Sequence, residues 1–368
     1  MSTGFTVGTR IHSGLGTLAG TAGILRGIGV SRVMVVVDGG LARLGLLDGL
    51  VESAGVRDLV VGTSLVGVNP APAEVEAAAA EALAAGADGV LAIGGGSGLS
   101  AAKAVALLMT NPVAIGSLEG DGRAAHPPAP TVAVPTTAGS GSEVSNALVL
   151  HEPGKIREMV IRGTGYEPVA AVLDATVLRG LPKEPLVFAA LDALTHALES
   201  LWSRGRNVFT DACALHAGSE ILDALPETVE GAIDGRNARG ENDDALQRLL
   251  EAASLANIAC GNSGLALVHA LSSSPAVQVP HGLQNGILLP YVAGFNRGEL
   301  SREGQELVDR IDELYHRIGF EARFDAGQAQ AEAMIDASRG HVFRNNNARN
   351  SSDGELHELL RLAGAAAA

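Results

Sequence analysis

Four short runs rich in β-branched residues, RVMVVVD (32–38), DLVVG (58–62), GVLAIGGGS (89–97) and TVAVPTT (131–137), alternate with alanine-rich stretches of helical periodicity. Continuous apolar runs joined by helical crossovers predict a parallel sheet buried on both faces. LARLGLLDGLVESAG, PAEVEAAAAEALAAG and GLSAAKAVALLMTNP supply the crossovers, each with apolar residues at helical spacing and a Gly or Pro near its end. From about Pro182 the pattern changes. EPLVFAALDALTHALESLWS, FTDACALHAGSEILDAL, DALQRLLEAASLANIAC, QELVDRIDELYHRIG and ELHELLRLAGAAAA all read as helices. The expected architecture is an α/β domain over residues 1–181 followed by an all-helical domain over 182–368, and 368 residues suffice for two cores.

With 46% hydrophobic and 18% charged residues, the composition is that of a globular protein. A net charge of -15 argues against a nucleic-acid or anionic-membrane partner, since a phosphate surface repels the average face of the chain. The start, MSTGFTVGTR, has no basic segment followed by an apolar one, and no apolar run is long enough to span a bilayer, so a cytoplasmic location is expected. Cys213 and Cys260 fall in apolar helical stretches without CxxC spacing and read as buried thiols.

Ile93 ends a strand, and Gly94, Gly95, Gly96 and Ser97 lead directly into the helix that holds Lys103. Glycines admit a pyrophosphate close to the backbone, and free N–H groups at a helix start attract anions. PTTAGSGSE (135–143) is a second loop after a strand, dense in hydroxyls and glycines, as expected around phosphate or a nicotinamide. Asp38 closes the first strand ahead of Gly39 and Gly40. It caps the next helix or bonds an adenosine ribose hydroxyl, and in the second role its charge disfavours the extra phosphate of NADP. Asn69, before Pro70, is a turn residue.

Asp192 and His196 are four apart in a helical segment, so they project from one face and can share a metal. His269 and His281 lie 12 residues apart across a Pro-containing stretch. One carboxylate and three imidazoles suit Fe²⁺ or Zn²⁺ with a position left open. Spacing alone does not select His269 and His281 from the ten histidines of the chain.

In order, GGGSGLSAAK (94–103), PTTAGSGSEVS (135–145), LDALTHALES (191–200), VHALSSSPAVQVPHG (268–282) and NNNARN (345–350) resemble the iron-containing alcohol dehydrogenases, of the dehydroquinate synthase-like superfamily. The resemblance spans nearly the whole chain. It implies a dinucleotide-binding α/β domain, an all-helical metal domain and an active site in the cleft joining them. Asp192, His196, His269 and His281 match the metal ligands. Asp38, Gly95, Gly96, Ser97, Thr136 and Thr137 match cofactor-holding positions, with Asn69 and Ser140 as neighbours. The implied cofactors are NAD, with NADP as the alternative, and Fe²⁺, with Zn²⁺ as the alternative. The implied partners are a small alcohol or aldehyde and a second copy of the chain, as a dimer.

The chain departs from the family pattern at three places. Ser100 stands where an aspartate is common, and Ser273 stands where a second histidine follows the third ligand. Lys155 aligns poorly with the family's lysine near the nicotinamide. Proton relay is therefore not carried by the family's histidine, and Ser273, a ribose hydroxyl or water takes its place. The implied chemistry is hydride transfer between the nicotinamide and a small alcohol or aldehyde. The rival readings are a maleylacetate reductase, a phosphonoacetaldehyde- or sugar-directed reductase on the same fold, and a nucleotide-binding sensor without catalysis.

Overall fold

A computed structural model describes residues 4–154, 158–274 and 276–365. The chain divides into two compact units, one of Val7–Thr137 with Gly141–Arg179, the other of Gly180–Ala368 with Met1–Thr6 and Ala138–Ser140. No helix among the described residues is long and apolar enough to cross a membrane.

The first unit is built on a sheet of β1 (Arg10–Ser13), β2 (Val33–Asp38), β3 (Val60–Val66), β4 (Gly89–Gly94), β6 (Thr131–Pro135) and β9 (Ala170–Leu173). Their order is β1-β9-β6-β4-β2-β3, and every pairing is parallel. The expected four strands are present, joined by β1 and β9. A second sheet, which the sequence did not predict, places β8 (Met159–Arg162) between β5 (Gly120–Asp121) and β7 (Ala147–Leu150).

Burial on both faces explains why the inner strands of the large sheet are apolar, while β1 and β3 at its edges are partly exposed. Val33, Val35, Val37, Leu91 and Ile93 enter one core with Leu25 of helix α1 (Thr21–Gly27). Met34, Val36, Val90 and Ala92 face the other side, against Val75 and Ala78 of α2 (Pro72–Ala84) and Leu99 and Val105 of α3 (Gly96–Thr110). Each of the valine, leucine, isoleucine and methionine side chains among them contributes about 1.5–3 kcal/mol when fully buried. After β3 the chain returns past β2 to lay down β4, so strand order reverses between β2 and β4. In open parallel sheets, the crevice beyond the strand ends at that reversal is where ligands bind.

The second unit is helical in its described residues, apart from one isolated bridge between Ser203 and Asn347. It contains α4 (Lys183–Leu201), α5 (Val208–Asp234), α6 (Asp243–Ser263), α7 (Leu267–Ser272) and α8 (His281–Asn296). α5 begins where Asn207 accepts from the Phe209 and Thr210 N–H groups and ends at Gly235, in the left-handed region. Cys260 is buried as expected; Cys213 is only half-buried, because its face of α5 is incompletely covered. Neither forms a disulfide among the described residues.

α8 lies against α4 through two glycines one turn apart. A Cβ on Gly282 would penetrate the Phe188 carbonyl, and one on Gly286 would lie 2.6 Å from Leu191 Cδ1. This spacing sets the approach of His281 to Asp192. Gly282→Ala is expected to cost about 1–3 kcal/mol through overpacking, read as a lower thermal midpoint. Gly294→Ala, on the same helix but with open space around it, leaves the midpoint unchanged or raises it. Equal midpoints for the two variants contradict this reading of the helix contact.

Candidate functional site

Three segments of the helical unit bring one carboxylate and three imidazoles together. Asp192 and His196 stand one turn apart on α4, His269 lies in α7, and His281 is the first residue of α8. Asp192 Oδ1 is 3.7 Å from His196 Nε2, 3.6 Å from His269 Nε2 and 3.8 Å from His281 Nε2. The His196 and His269 rings stack with centroids 5.0 Å apart. Ligand atoms about 2.0–2.2 Å from an ion stand about 3.3–3.6 Å apart at tetrahedral corners. The ligand atoms of Asp192, His269 and His281 lie within 4.8 Å of one another, so an inward shift would let these three hold one divalent ion. His196 Nε2 stands 3.7 Å from Asp192 Oδ1 but outside that group, and joins it only by a larger movement. The nitrogen-rich, thiolate-free donor set fits iron or zinc. Asp192, His196 and His269 are buried, while His281 is half exposed and gives the site its open side.

Glu199, which sequence reasoning missed, anchors one of these imidazoles. It lies fully buried on the Asp192 face of α4, seven residues on, and accepts from Ala266 N at 2.9 Å and Val268 N at 2.5 Å. His269 Nδ1 lies 2.7 Å from the same carboxylate. A carboxylate on Nδ1 fixes the ring orientation and leaves Nε2 for a metal. The i, i+4, i+7 spacing of Asp192, His196 and Glu199 was the available signal, since it places three ionisable groups on one buried stripe. Glu199→Gln turns an amide N–H toward groups that themselves donate, and is expected to weaken metal affinity about 10–100-fold. Equilibrium dialysis against a competing chelator measures it, and unchanged affinity contradicts the anchoring role.

The electrostatics of the cluster are set by burial and mutual charge. Burial alone would raise the Asp192 pKa, but the three imidazoles overcome it and hold the carboxyl well below its usual range. Burial pushes His196 down to about 4 against the pull of Asp192. It would also lower His269, yet the charges and hydrogen bonds of Glu199 and Asp192 raise that ring to about 9. The ordinary histidine value is about 6.5. His269, raised on folding, stabilises the metal-free chain below about 6.5 and loses that contribution as pH rises through about 9. His196, lowered on folding, destabilises as pH falls from about 6.5 toward about 4. The metal-free protein is thus expected to melt highest near pH 6.5 and lower on either side. A midpoint that stays level from there to pH 9 contradicts it.

In the sheet unit, the other expected residues gather at the carboxyl ends of adjoining strands. Asp38 ends β2 and caps the next helix, its Oδ1 accepting from Gly40 N at 2.6 Å. Gly94 has φ +157°, and a Cβ there would lie 3.2 Å from that of Asp38. A Cβ on Gly95 would lie 3.2 Å from Thr137 Oγ1, so the ends of β2, β4 and β6 meet with only backbone between them. α3 starts at Gly96 with no side-chain cap, leaving the N–H groups of Gly96, Ser97 and Gly98 directed at the crevice. Asn69, left-handed at φ 56°, donates from its N–H to Ser97 Oγ at 3.3 Å. Thr136 is buried and its N–H donates to the Gly94 carbonyl.

Lys103, known from the sequence only as part of this helix, ties the second loop to the first. Its buried ammonium donates to the carbonyls of Ser142, Ser145 and Ala147 at 2.9, 3.1 and 2.5 Å. Burial pushes it down to about 7 against the charges of Glu143 and Glu167. Ser140 belongs to the helical unit, where its carbonyl accepts from Asn257 Nδ2 at 2.8 Å. Ser273 caps the end of α7 and its hydroxyl donates to the Ala270 carbonyl at 2.8 Å, so its proton is engaged. Lys155 lies outside the described residues.

Residues 8–175 match the iron-containing alcohol dehydrogenase family, and residues 186–352 match the C-terminal family of the Fe-containing alcohol dehydrogenases. The chain belongs to the iron-containing alcohol dehydrogenase family. It is 33% identical to the probable alcohol dehydrogenase EutG of Salmonella typhimurium over 371 residues, covering 95% of this chain and 92% of that protein. The iron-containing alcohol dehydrogenase of Thermococcus thioreducens superposes with a TM-score of 0.84 at 27% identity, over 98% of this chain and 99% of the other. The sulfoacetaldehyde reductase of Bifidobacterium kashiwanohense, solved with NAD+, superposes with a TM-score of 0.87 at 25% identity over 99% of each chain. Membership makes this protein an oxidoreductase acting on CH–OH groups. Within the family pattern, Ser100 is buried in α3.

Proposed function

We propose that this member of the family interconverts a small primary alcohol and its aldehyde, with NAD as hydride carrier and Fe²⁺ held by Asp192, His196, His269 and His281. The single supporting observation is the approach of three imidazole nitrogens to one carboxylate oxygen within 3.8 Å. Lewis-acid polarisation of the substrate oxygen is the chemistry iron supplies there, and hydride transfer that of the nicotinamide. The protein's own part is to bind and orient. Glu199 holds the His269 ring. Gly94, Gly95, Gly96 and Ser97 give a pyrophosphate close access to a helix start. Asp38 faces the adenosine ribose and disfavours NADP by charge, with Asn69, Thr136 and Thr137 around the phosphates and Ser140 near the nicotinamide. Ser273 can accept a proton or hydrogen bond but has its own proton engaged, so the relay falls to a ribose hydroxyl or water.

The division of labour follows: residues 1–181 carry the dinucleotide and 182–368 the metal. A dimer is supported by the edge strand β1, which pairs on one side only among the described residues and leaves Ile11 exposed. A cytoplasmic location accords with the free thiols. The complete ligand set favours this reading over a maleylacetate reductase that works without one.

Protein purified anaerobically with Fe²⁺ is expected to carry about one ion per chain and to oxidise NADH with short aldehydes. Asp192→Ala is expected to keep NADH binding, read by fluorescence, while losing the ion and at least about 10²-fold in kcat. A metal-free preparation with full activity would overturn the proposal, as would NADH binding without turnover of any aldehyde.

A further inference from the structure

One buried polar side chain beside the metal ligands has no role in the scheme above. Asn285 is on α8 one turn after His281 and has no solvent exposure. Its Nδ2 donates to Asp192 Oδ1 at 2.7 Å and lies 3.2 Å from His269 Nε2 and 3.0 Å from His281 Nε2. A carboxylate oxygen can only accept, so the nitrogen of the amide faces the set. Its Oδ1 is buried without a hydrogen-bond partner among the described residues. The orphaned oxygen is a cost that the contacts of the nitrogen with the three ligand atoms must offset.

The three distances put a single atom over the triangle formed by Asp192 Oδ1, His269 Nε2 and His281 Nε2. Two edges of that triangle measure 3.6 and 3.8 Å. An atom in contact with all three corners leaves no passage for a water or substrate oxygen through that face. His196 Nε2 is not among the contacts of Asn285, so it lies off the capped face and belongs to the remaining faces of the polyhedron.

We infer that Asn285 is a positioning residue that seals one face of the coordination shell, so that substrate and water reach the ion only from another side. It acts in two ways. The amide N–H holds the Asp192 oxygen in place, and the bulk of the amide keeps the coordination number low. The inference rests on the metal reading proposed above.

Cobalt(II) loaded in place of iron tests it, because the visible absorption of cobalt is strong in four- or five-fold coordination and weak in six-fold. The wild-type protein is expected to show the strong bands. Asn285→Ala is expected to bind cobalt and lose the bands several-fold as water enters the vacated face. Asn285→Leu, which fills the space but donates nothing, is expected to keep them. Should Asn285→Ala fail to fold or to retain cobalt, Asn285→Ser, smaller than asparagine yet polar, carries the same expectation. Unchanged bands in the small-residue variant with full cobalt occupancy overturn the sealing role. So do bands that weaken equally in the leucine variant, since that result reduces Asn285 to a hydrogen bond. Failure of the wild-type protein to bind cobalt is a separate result, and it overturns the metal reading together with this inference.

Discussion

Two carboxylates withdrawn from water within one hydrogen-bonded cluster set the terms for the helical unit. Asp192 is nearly buried and Glu199 fully so, and both address the same imidazole, Asp192 facing Nε2 and Glu199 facing Nδ1 of His269. A carboxylate taken into a protein interior costs several kcal/mol unless an opposite charge meets it. In the metal-free chain a proton on His269 answers part of that demand, which is why the ring holds its proton up to about pH 9. A divalent cation answers both carboxylates at once and frees the imidazole to act as a ligand. The cluster therefore favours a metal electrostatically before any coordination bond is considered.

Backbone proximity carries this arrangement. Ligands from three helical segments meet only if the segments approach closely, and Gly282 and Gly286 remove the side chains that would hold α8 away from α4. The sheet unit uses the same means for another purpose. Gly94, Gly95 and Gly98 clear the ground around Asp38 and Thr137 where strand order reverses, and α3 starts beside that clearing with no side-chain cap among the described residues. Lys103 then replaces many weak loop contacts with one charge-assisted clamp on three carbonyls. In both units glycine makes the room and a buried charge fixes what enters it.

The parts of the fold legible in the sequence are those with strong periodicity. β2, β4 and β6 stood out because burial on both faces demands unbroken apolar runs, and β3, a partly exposed edge strand, through its short valine run. β1, β9 and the sheet of β5, β7 and β8 did not, because strands of two to four residues carry too few alternations to separate from loop. Asp192 and His196 could be paired from helical geometry. His269 and His281 could not, since their convergence depends on how α7 and α8 pack, and only the family resemblance picked them out. Glu199 and Asn285 escaped notice because each looks like an ordinary polar residue of an amphipathic helix until its burial is known. The half-exposed Cys213 shows the converse error, an apolar-looking stretch whose far side meets solvent.

The central claim is that one oxygen and three imidazole nitrogens surround a single ion. X-ray absorption at the iron edge of the anaerobically loaded protein addresses it without recourse to activity. The predicted spectrum has nitrogen and oxygen scatterers at about 2.0–2.2 Å with the outer-shell pattern of three imidazoles. A pattern requiring a sulfur ligand, or fewer than three imidazoles, contradicts the account.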